Sequence, residues 1–236
     1  MEVTLSIRRF DPEKGEEAFF QEFVLEAEPT DRLLDVLMRI KQEQDGSLSF
    51  RKSCAHGVCG SDAMRINGKD GLACKTLVQD VAKGNKDPVI VEPLRFFPVQ
   101  KDLLVDQSAF FEGYRSVRPY LINDRVVKEK EWLQSPAERK EFDDPTKCIL
   151  CGACVSACPV KIENPEFLGP AAIVQAARFN KDSRDRGFRD RLPVLNDANG
   201  VWPCRNHFEC TRVCPREIKV TKLINETKKQ IKERRS

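Results

Sequence analysis

The stretch CILCGACVSACP, residues 148–159, sets Cys148, Cys151, Cys154 and Cys158 ahead of Pro159. This is the C-x2-C-x2-C-x3-C-P run of bacterial ferredoxins, in which the fourth cysteine ligates the other cluster of a pair. Further along, CRNHFECTRVCP, residues 204–215, repeats the spacing position for position. Cys204, Cys210, Cys214 and Pro215 fall in register, but the second cysteine slot holds His207. Exchanging the fourth cysteines assigns Cys148, Cys151, Cys154 and Cys214 to a [4Fe–4S] cluster. Cys158, Cys204 and Cys210 remain for the second site. Three thiolates leave one corner of a cubane unheld, so the expectation there is [3Fe–4S]. Imidazole also binds iron, so a [4Fe–4S] cluster completed by His207 stays open.

Working back toward the N-terminus, SCAHGVCGSDAMRINGKDGLAC, residues 53–74, holds Cys54 and Cys59 four residues apart, with Cys74 beyond. Plant-type ferredoxins hold [2Fe–2S] through C-x4-C-x2-C and a distant fourth cysteine. The third position here is Asp62, whose carboxylate suits ferric iron as a harder ligand. Water or Ser61 is the alternative ligand, with Asp62 then a turn residue. Cys54, Cys59, Asp62 and Cys74 thus form the expected [2Fe–2S] set, and the three sets together use all ten cysteines. Zinc is the competing metal, but it is usually held by paired C-x2-C units summing to four ligands. A C-x2-C-x2-C triplet and a C-x4-C loop serve it poorly.

The pattern around these loops divides the chain near residue 105. Val3, Leu5 and Ile7 alternate with polar neighbours, the signature of a half-buried strand. Asp11-Pro12 and Gly15 turn it into a second strand through Phe19 to Leu25. Leu33, Leu34, Leu37 and Ile40 recur at helical spacing, predicting a helix over 31–43 with Thr30 as its N-cap. Short strands are expected near Ala63–Ile66, Leu72–Thr76 and Val89–Glu92, so residues 1–105 read as a small α+β domain. Residues 106–236 read as helical, with helices over 106–118, from the Ser135-Pro136 N-terminus, through GPAAIVQAARF, and over Val220–Lys232.

A formal charge of +3 does not mark a nucleic-acid binder. No apolar run approaches the ~18–20 residues that cross a bilayer, and MEVTLSIRRF lacks the features of a secretory signal. Disulfide scaffolds are short secreted chains with denser cysteine, so metal chemistry is the better use of these thiols. Eight Lys/Arg against three Glu between Arg216 and Arg235 make the C-terminus locally basic. A solvated helix face accounts for that, with an acidic partner or lipid headgroups as the second reading.

With these motifs the whole chain resembles the iron–sulfur subunit of succinate dehydrogenase and fumarate reductase, the complex II family. The likeness is carried by SFRKSCAHGVCGSDAMRINGKDGLACKT, CILCGACVSACP, NPEFLGPAAI, DSRD and CRNHFECTRVCP. It implies an α+β chain: an N-terminal plant-type ferredoxin-like (β-grasp) domain, then an all-α bacterial-ferredoxin-like domain. It also implies an electron-transfer subunit of succinate:quinone oxidoreductase, with no substrate chemistry on this chain. A flavoprotein subunit would carry FAD, and membrane-anchor subunits would supply quinone and in some cases haem b. The location so implied is peripheral, on the cytoplasmic side of a prokaryotic inner membrane. The alternatives are a quinol:fumarate reductase subunit running in reverse and a free-standing multi-cluster carrier.

Members that reduce ubiquinone carry tryptophans where this chain has Ile162 and Glu163. An ionised Glu only accepts hydrogen bonds and does not replace an indole donor, which brings in menaquinone or a relocated site as options. Arg205 follows the first cysteine of the third set, where some relatives carry His, and Lys228 matches a family lysine near the quinone or haem propionates. Either would hold an anionic group there, with solvated surface cations as the other reading.

Overall fold

The structure is a computed structural model that describes residues 1–15, 17–82, 87–125 and 131–234. Its contacts separate two units. One comprises Met1–Gln107 with Ile149–Ala157, the other Ser108–Cys148 with the chain from Cys158 onward.

In the first unit the alternating N-terminal segment forms β1 (Glu2–Arg9), paired antiparallel with β2 (Phe19–Glu26) so that Val3 faces Leu25 and Ile7 faces Gln21. β3 (Ala63–Ile66) and β4 (Lys69–Leu72) make a hairpin, and β5 (Val89–Glu92) joins the halves. The five-stranded sheet has the order β2-β1-β5-β3-β4, with β1 and β5 parallel and the other pairs antiparallel. A small mixed sheet backed by one helix is the β-grasp arrangement the resemblance implied. The helix runs Leu33–Arg39 and continues as a wider turn over Ile40–Gln44. Leu33, Leu34, Leu37 and Ile40 are all buried with Leu5 and Ile7 of β1, as their spacing requires.

Three local expectations are corrected. The helix starts at Leu33 with Arg32 as N-cap and no side-chain cap. Thr30 lies too far back to serve, and Asp31 instead accepts the Glu28 N–H at 3.0 Å. The strand expected over Leu72–Thr76 ends at Leu72, where a 3-10 turn (Ala73–Lys75) replaces it and carries Cys74. A further hairpin, β6 (Val99–Lys101) with β7 (Leu104–Val105), follows where no strand was expected.

That hairpin positions Asp102, which is 2% exposed. Its carboxylate accepts from Arg9 Nε at 3.0 Å, Phe10 N at 3.0 Å and Ser49 N at 2.8 Å. Arg9 also donates to Asp45 at 2.6 Å and to Ser47 Oγ at 2.9 Å. A buried cation at the end of a strand is tolerated only when its donors are matched in this way. Here the matching ties the 45–49 loop, which leads into the first cysteine loop, to the sheet.

The second unit is helical. Ser108–Ser116, Pro136–Glu141, Pro170–Asn180, Phe188–Leu195 and Val220–Glu233 are its longer helices. Ser135 caps Pro136–Glu141 in a reciprocal box with Glu138, and Pro136 stands at the first helical position. Pro170–Asn180 is buried along nearly its whole length, which fits its alanine-rich sequence. Arg191 is fully buried and pairs with Asp185 through two nitrogens, at 2.7 and 2.9 Å. Among the described residues no helix is long and apolar enough to cross a membrane.

Candidate metal centres

The β3–β4 hairpin brings Asp62 to Cys74. Ala63 pairs with Leu72, so the residues just outside the hairpin meet. Ala73 N donates to Asp62 O at 3.2 Å, and Cys74 N donates to the Asp62 carboxylate at 2.5 Å. Both side chains are buried. Cys54 and Cys59 lie on the loop opposite in sequence, where Cys59 N donates to Cys54 Sγ at 3.3 Å and His56 N at 3.5 Å. Ser61 N and Ser61 Oγ approach Cys59 Sγ at 3.5 and 3.1 Å.

These amides act on charge. The N–H of His56, then those of Cys59 and Val58, lower the Cys54 thiol to about 6, favouring the thiolate that metals require. Cys74 goes the other way, pushed up to about 12 by burial and then by the Asp62 carboxylate beside it. A buried carboxylate and a buried thiolate side by side need a cationic centre to stay ionised together. The donor set therefore fits an iron–sulfur cluster. It also places Asp62 where either ligation or a purely structural hydrogen bond to Cys74 is sterically served.

In the second unit Cys158, Cys204 and Cys210 line one small, partly open pocket together with His207. Cys158 comes from the first run and the other two from the second, so this pocket draws thiols from both runs. Burial raises the Cys158 thiol, and the neighbouring Cys204 raises it further. Burial raises Cys210, while a contact from Thr221 Oγ1 at 3.5 Å offsets part of this. Thiols that would repel one another when ionised, set around a hollow, fit a multi-iron cluster. Among the described residues no three Cys, His, Asp or Glu side chains converge on a point the size of one ion.

Of the cysteines assigned to [4Fe–4S], Cys151 and Cys154 belong to the first unit, Cys148 and Cys214 to the second. Within the first unit the two cysteine loops are in close contact. A Cβ added at Gly60 would stand 2.7 Å from Cys151 Cβ and 3.1 Å from its Cα. Ser156, between Cys154 and Cys158 in sequence, is fully buried. Its hydroxyl accepts the Arg95 N–H at 2.8 Å and donates its one proton to the buried Asp70 carboxylate.

Arg205 and Lys228 both have partners inside the chain. Arg205 Nη1 donates to Glu163 at 2.5 Å, with the two side chains 64% and 55% exposed. A surface pair of this kind is worth about 0–1 kcal/mol, so it opens readily toward a ligand. Lys228 Nζ donates to the Cys204 carbonyl at 2.7 Å, bracing the third cysteine loop. Sequence reasoning missed Thr221, Ser156 and Asp70. Nothing in local spacing marks them, because each acts across 10 or more residues.

Two ferredoxin-type parts, one built on a β-grasp sheet and one on helices and paired cysteine runs, define a multi-cluster iron–sulfur electron carrier. Residues 4–112 match the 2Fe-2S iron-sulfur cluster binding domain, and residues 144–218 match the 4Fe-4S dicluster domain. The succinate dehydrogenase iron-sulfur subunit of Coxiella burnetii is 40% identical over 97% of each chain. The fumarate reductase iron-sulfur subunit of Mycobacterium tuberculosis is 43% identical over 92% of this chain and 87% of that one. Among solved structures, a chain of the Mycobacterium smegmatis Sdh1 complex in the apo form superposes with a TM-score of 0.89 at 27% identity. That match covers 99% of this chain and 96% of the other. The chain belongs to the family of succinate dehydrogenase and fumarate reductase iron–sulfur subunits, and its role is electron transfer within that oxidoreductase.

Proposed function

We propose that this chain conducts electrons between an FAD-bearing flavoprotein subunit and quinone at membrane-anchor subunits, in succinate:quinone oxidoreduction. Residues 1–105 would hold [2Fe–2S] through Cys54, Cys59, Asp62 and Cys74. Residues 106–236 would hold [4Fe–4S] through Cys148, Cys151, Cys154 and Cys214, and [3Fe–4S] through Cys158, Cys204 and Cys210. The clusters supply one-electron storage at three stations, which a polypeptide alone lacks. The protein's part is to fix the loops, exclude water from Cys74 and Cys210, and aim amide N–H groups at sulfur. The complex would sit peripherally on the cytoplasmic side of a prokaryotic inner membrane, with any haem b on the anchor.

The observation that carries this reading is the cavity shared by Cys158, Cys204 and Cys210, thiols from two separate runs. EPR of the purified complex under stepwise reduction tests it. Three distinct cluster signals in association with a larger flavoprotein are expected. A lone, pale, zinc-containing chain refutes it, and an iron-bearing monomer without a flavoprotein favours a free-standing carrier.

A second reading runs the same path in reverse, as quinol:fumarate reductase. It is favoured by Glu163, paired with Arg205 where ubiquinone-reducing relatives carry tryptophan, and by the 43% identity to a fumarate reductase subunit. Menaquinone then becomes the expected quinone. The ratio of succinate oxidation to fumarate reduction by the complex with each quinone type separates the two.

A further inference from the structure

The two C-x2-C-type runs repeat in backbone conformation as well as in sequence. In the first, Leu150 and Gly152 flank Cys151, and both lie in the left-handed region, at φ of 53° and 83°. In the second, Asn206 and Phe208 flank His207, at φ of 60° and 64°. A single short helical turn follows each, Ala153–Ser156 and Glu209–Arg212. The left-handed region costs a residue with a side chain about 1–2 kcal/mol. The first run meets one of its two such positions with glycine; the second places Phe208 there and bears the strain. Strain of this kind persists where the surroundings hold a residue in a required place. The required place here is the middle position, which in the first run is a cluster cysteine.

His207 is therefore presented by the backbone of a ligand loop, and it lines the cavity shared by Cys158, Cys204 and Cys210. Imidazole is a recognised iron donor and replaces cysteine on one iron in Rieske-type clusters. We propose that His207 is the ligand of a fourth, exchangeable metal position: the site accepts a ferrous ion at the corner that three thiolates leave unheld. This inference rests on the reading that Cys158, Cys204 and Cys210 hold a three-iron cluster. The step balances without further electrons once the cluster is reduced. Neutral [3Fe–4S] and Fe²⁺ give [4Fe–4S]²⁺, and neutral imidazole contributes a lone pair without moving a proton. The one electron that brings oxidised [3Fe–4S]⁺ to the neutral state comes from an added one-electron reductant.

The test uses the intact complex, anaerobic and reduced with dithionite, with and without added ferrous salt. EPR after mild reoxidation and Mössbauer spectroscopy with ⁵⁷Fe are the readouts. In the wild type the three-iron signal should fall and a four-iron spectrum appear, reversed by a chelator. His207→Ala, at an exposed position, should keep its three-iron signal under the same treatment, and His207→Cys should be four-iron from the outset. The inference is overturned if wild type does not convert, or if His207→Ala converts to the same extent. A three-iron signal absent from untreated His207→Ala refutes the assignment of the three cysteines, and the fourth-metal proposal falls with it.

Discussion

Gly60 is the position where a single methyl group tests the packing of the two cysteine loops against each other. Its φ of 71° lies in the left-handed region, and an added Cβ would sit 2.7 Å from Cys151 Cβ and 3.1 Å from Cys151 Cα. The left-handed backbone costs alanine about 1–2 kcal/mol. Forcing a methyl into a closed contact with backbone adds about 1–3 kcal/mol. Gly60→Ala should therefore destabilise the cluster-loaded chain by about 2–5 kcal/mol. Gly15 separates the two contributions, since it has a φ of 65° and, among the described residues, nothing within 4 Å of an added Cβ. Gly15→Ala should show the backbone part alone, about 1–2 kcal/mol. At a urea dependence of about 2 kcal/mol/M, the midpoint of Gly60→Ala should lie roughly 0.5–1.5 M below that of Gly15→Ala. The same variant should alter the magnetic interaction between the reduced [2Fe–2S] and [4Fe–4S] clusters, because the loops must part to admit the methyl. Equal midpoints for the two alanine variants would show that the contact is not closed and would defeat the reasoning.

Other perturbations follow from the same geometry. Asp62→Cys should retain the [2Fe–2S] EPR signal and Asp62→Ala should lose it; retention in both variants would make Asp62 a structural residue only. Ser156→Ala strips the buried Asp70 carboxylate and the Arg95 amide of their partner, a loss of about 1.5–3 kcal/mol, whereas Asp70→Asn keeps an acceptor and should lose less in the same urea titration. Arg191→Met leaves Asp185 buried without its cation, which costs about 3–5 kcal/mol. Arg191→Lys should not restore stability, because lysine cannot also reach Arg118 O and Tyr120 O as the guanidinium does. Asp45, lowered to about 2 by the Arg9 guanidinium and then by Ser47, contributes stability above the ordinary carboxylate pKa of about 4. That contribution should fade as pH falls from about 4 to about 2. The stability difference between wild type and Asp45→Asn, followed by circular dichroism, should be flat from neutrality down to that window and shrink within it.

Much of the fold was legible because its signals are local. The alternation of Val3, Leu5 and Ile7, the 3-4 spacing of Leu33 to Ile40 and the Ser135-Pro136 helix start each concern residues within one element, and each element formed there. What sequence reading missed is nonlocal. Arg9 continues the inward face of Val3, Leu5 and Ile7, but the alternation does not name its partners Asp45 and Asp102, which lie 36 and 93 residues away. Thr30 had the chemistry of an N-cap, but the Arg32 carbonyl, three residues before Asp35 and four before Val36, already accepts both their N–H groups. The helix therefore begins too late for Thr30 to reach its first amides.

The cysteine loops divide the same way. Spacing names the ligand types, since C-x4-C and C-x2-C-x2-C-x3-C-P are each confined to a dozen residues or fewer. Spacing does not report the backbone that presents them. Of the left-handed residues Ala55, Leu150, Asn206 and Phe208, composition would nominate only Asn206, because asparagine alone among them favours that region. The pattern therefore becomes visible only when dihedral angles are compared between the repeats. A sequence repeat with one mismatched residue reads as a ligand lost. The bend around His207 matches that around Cys151, and on the proposal above that match turns a ligand lost into a ligand exchanged.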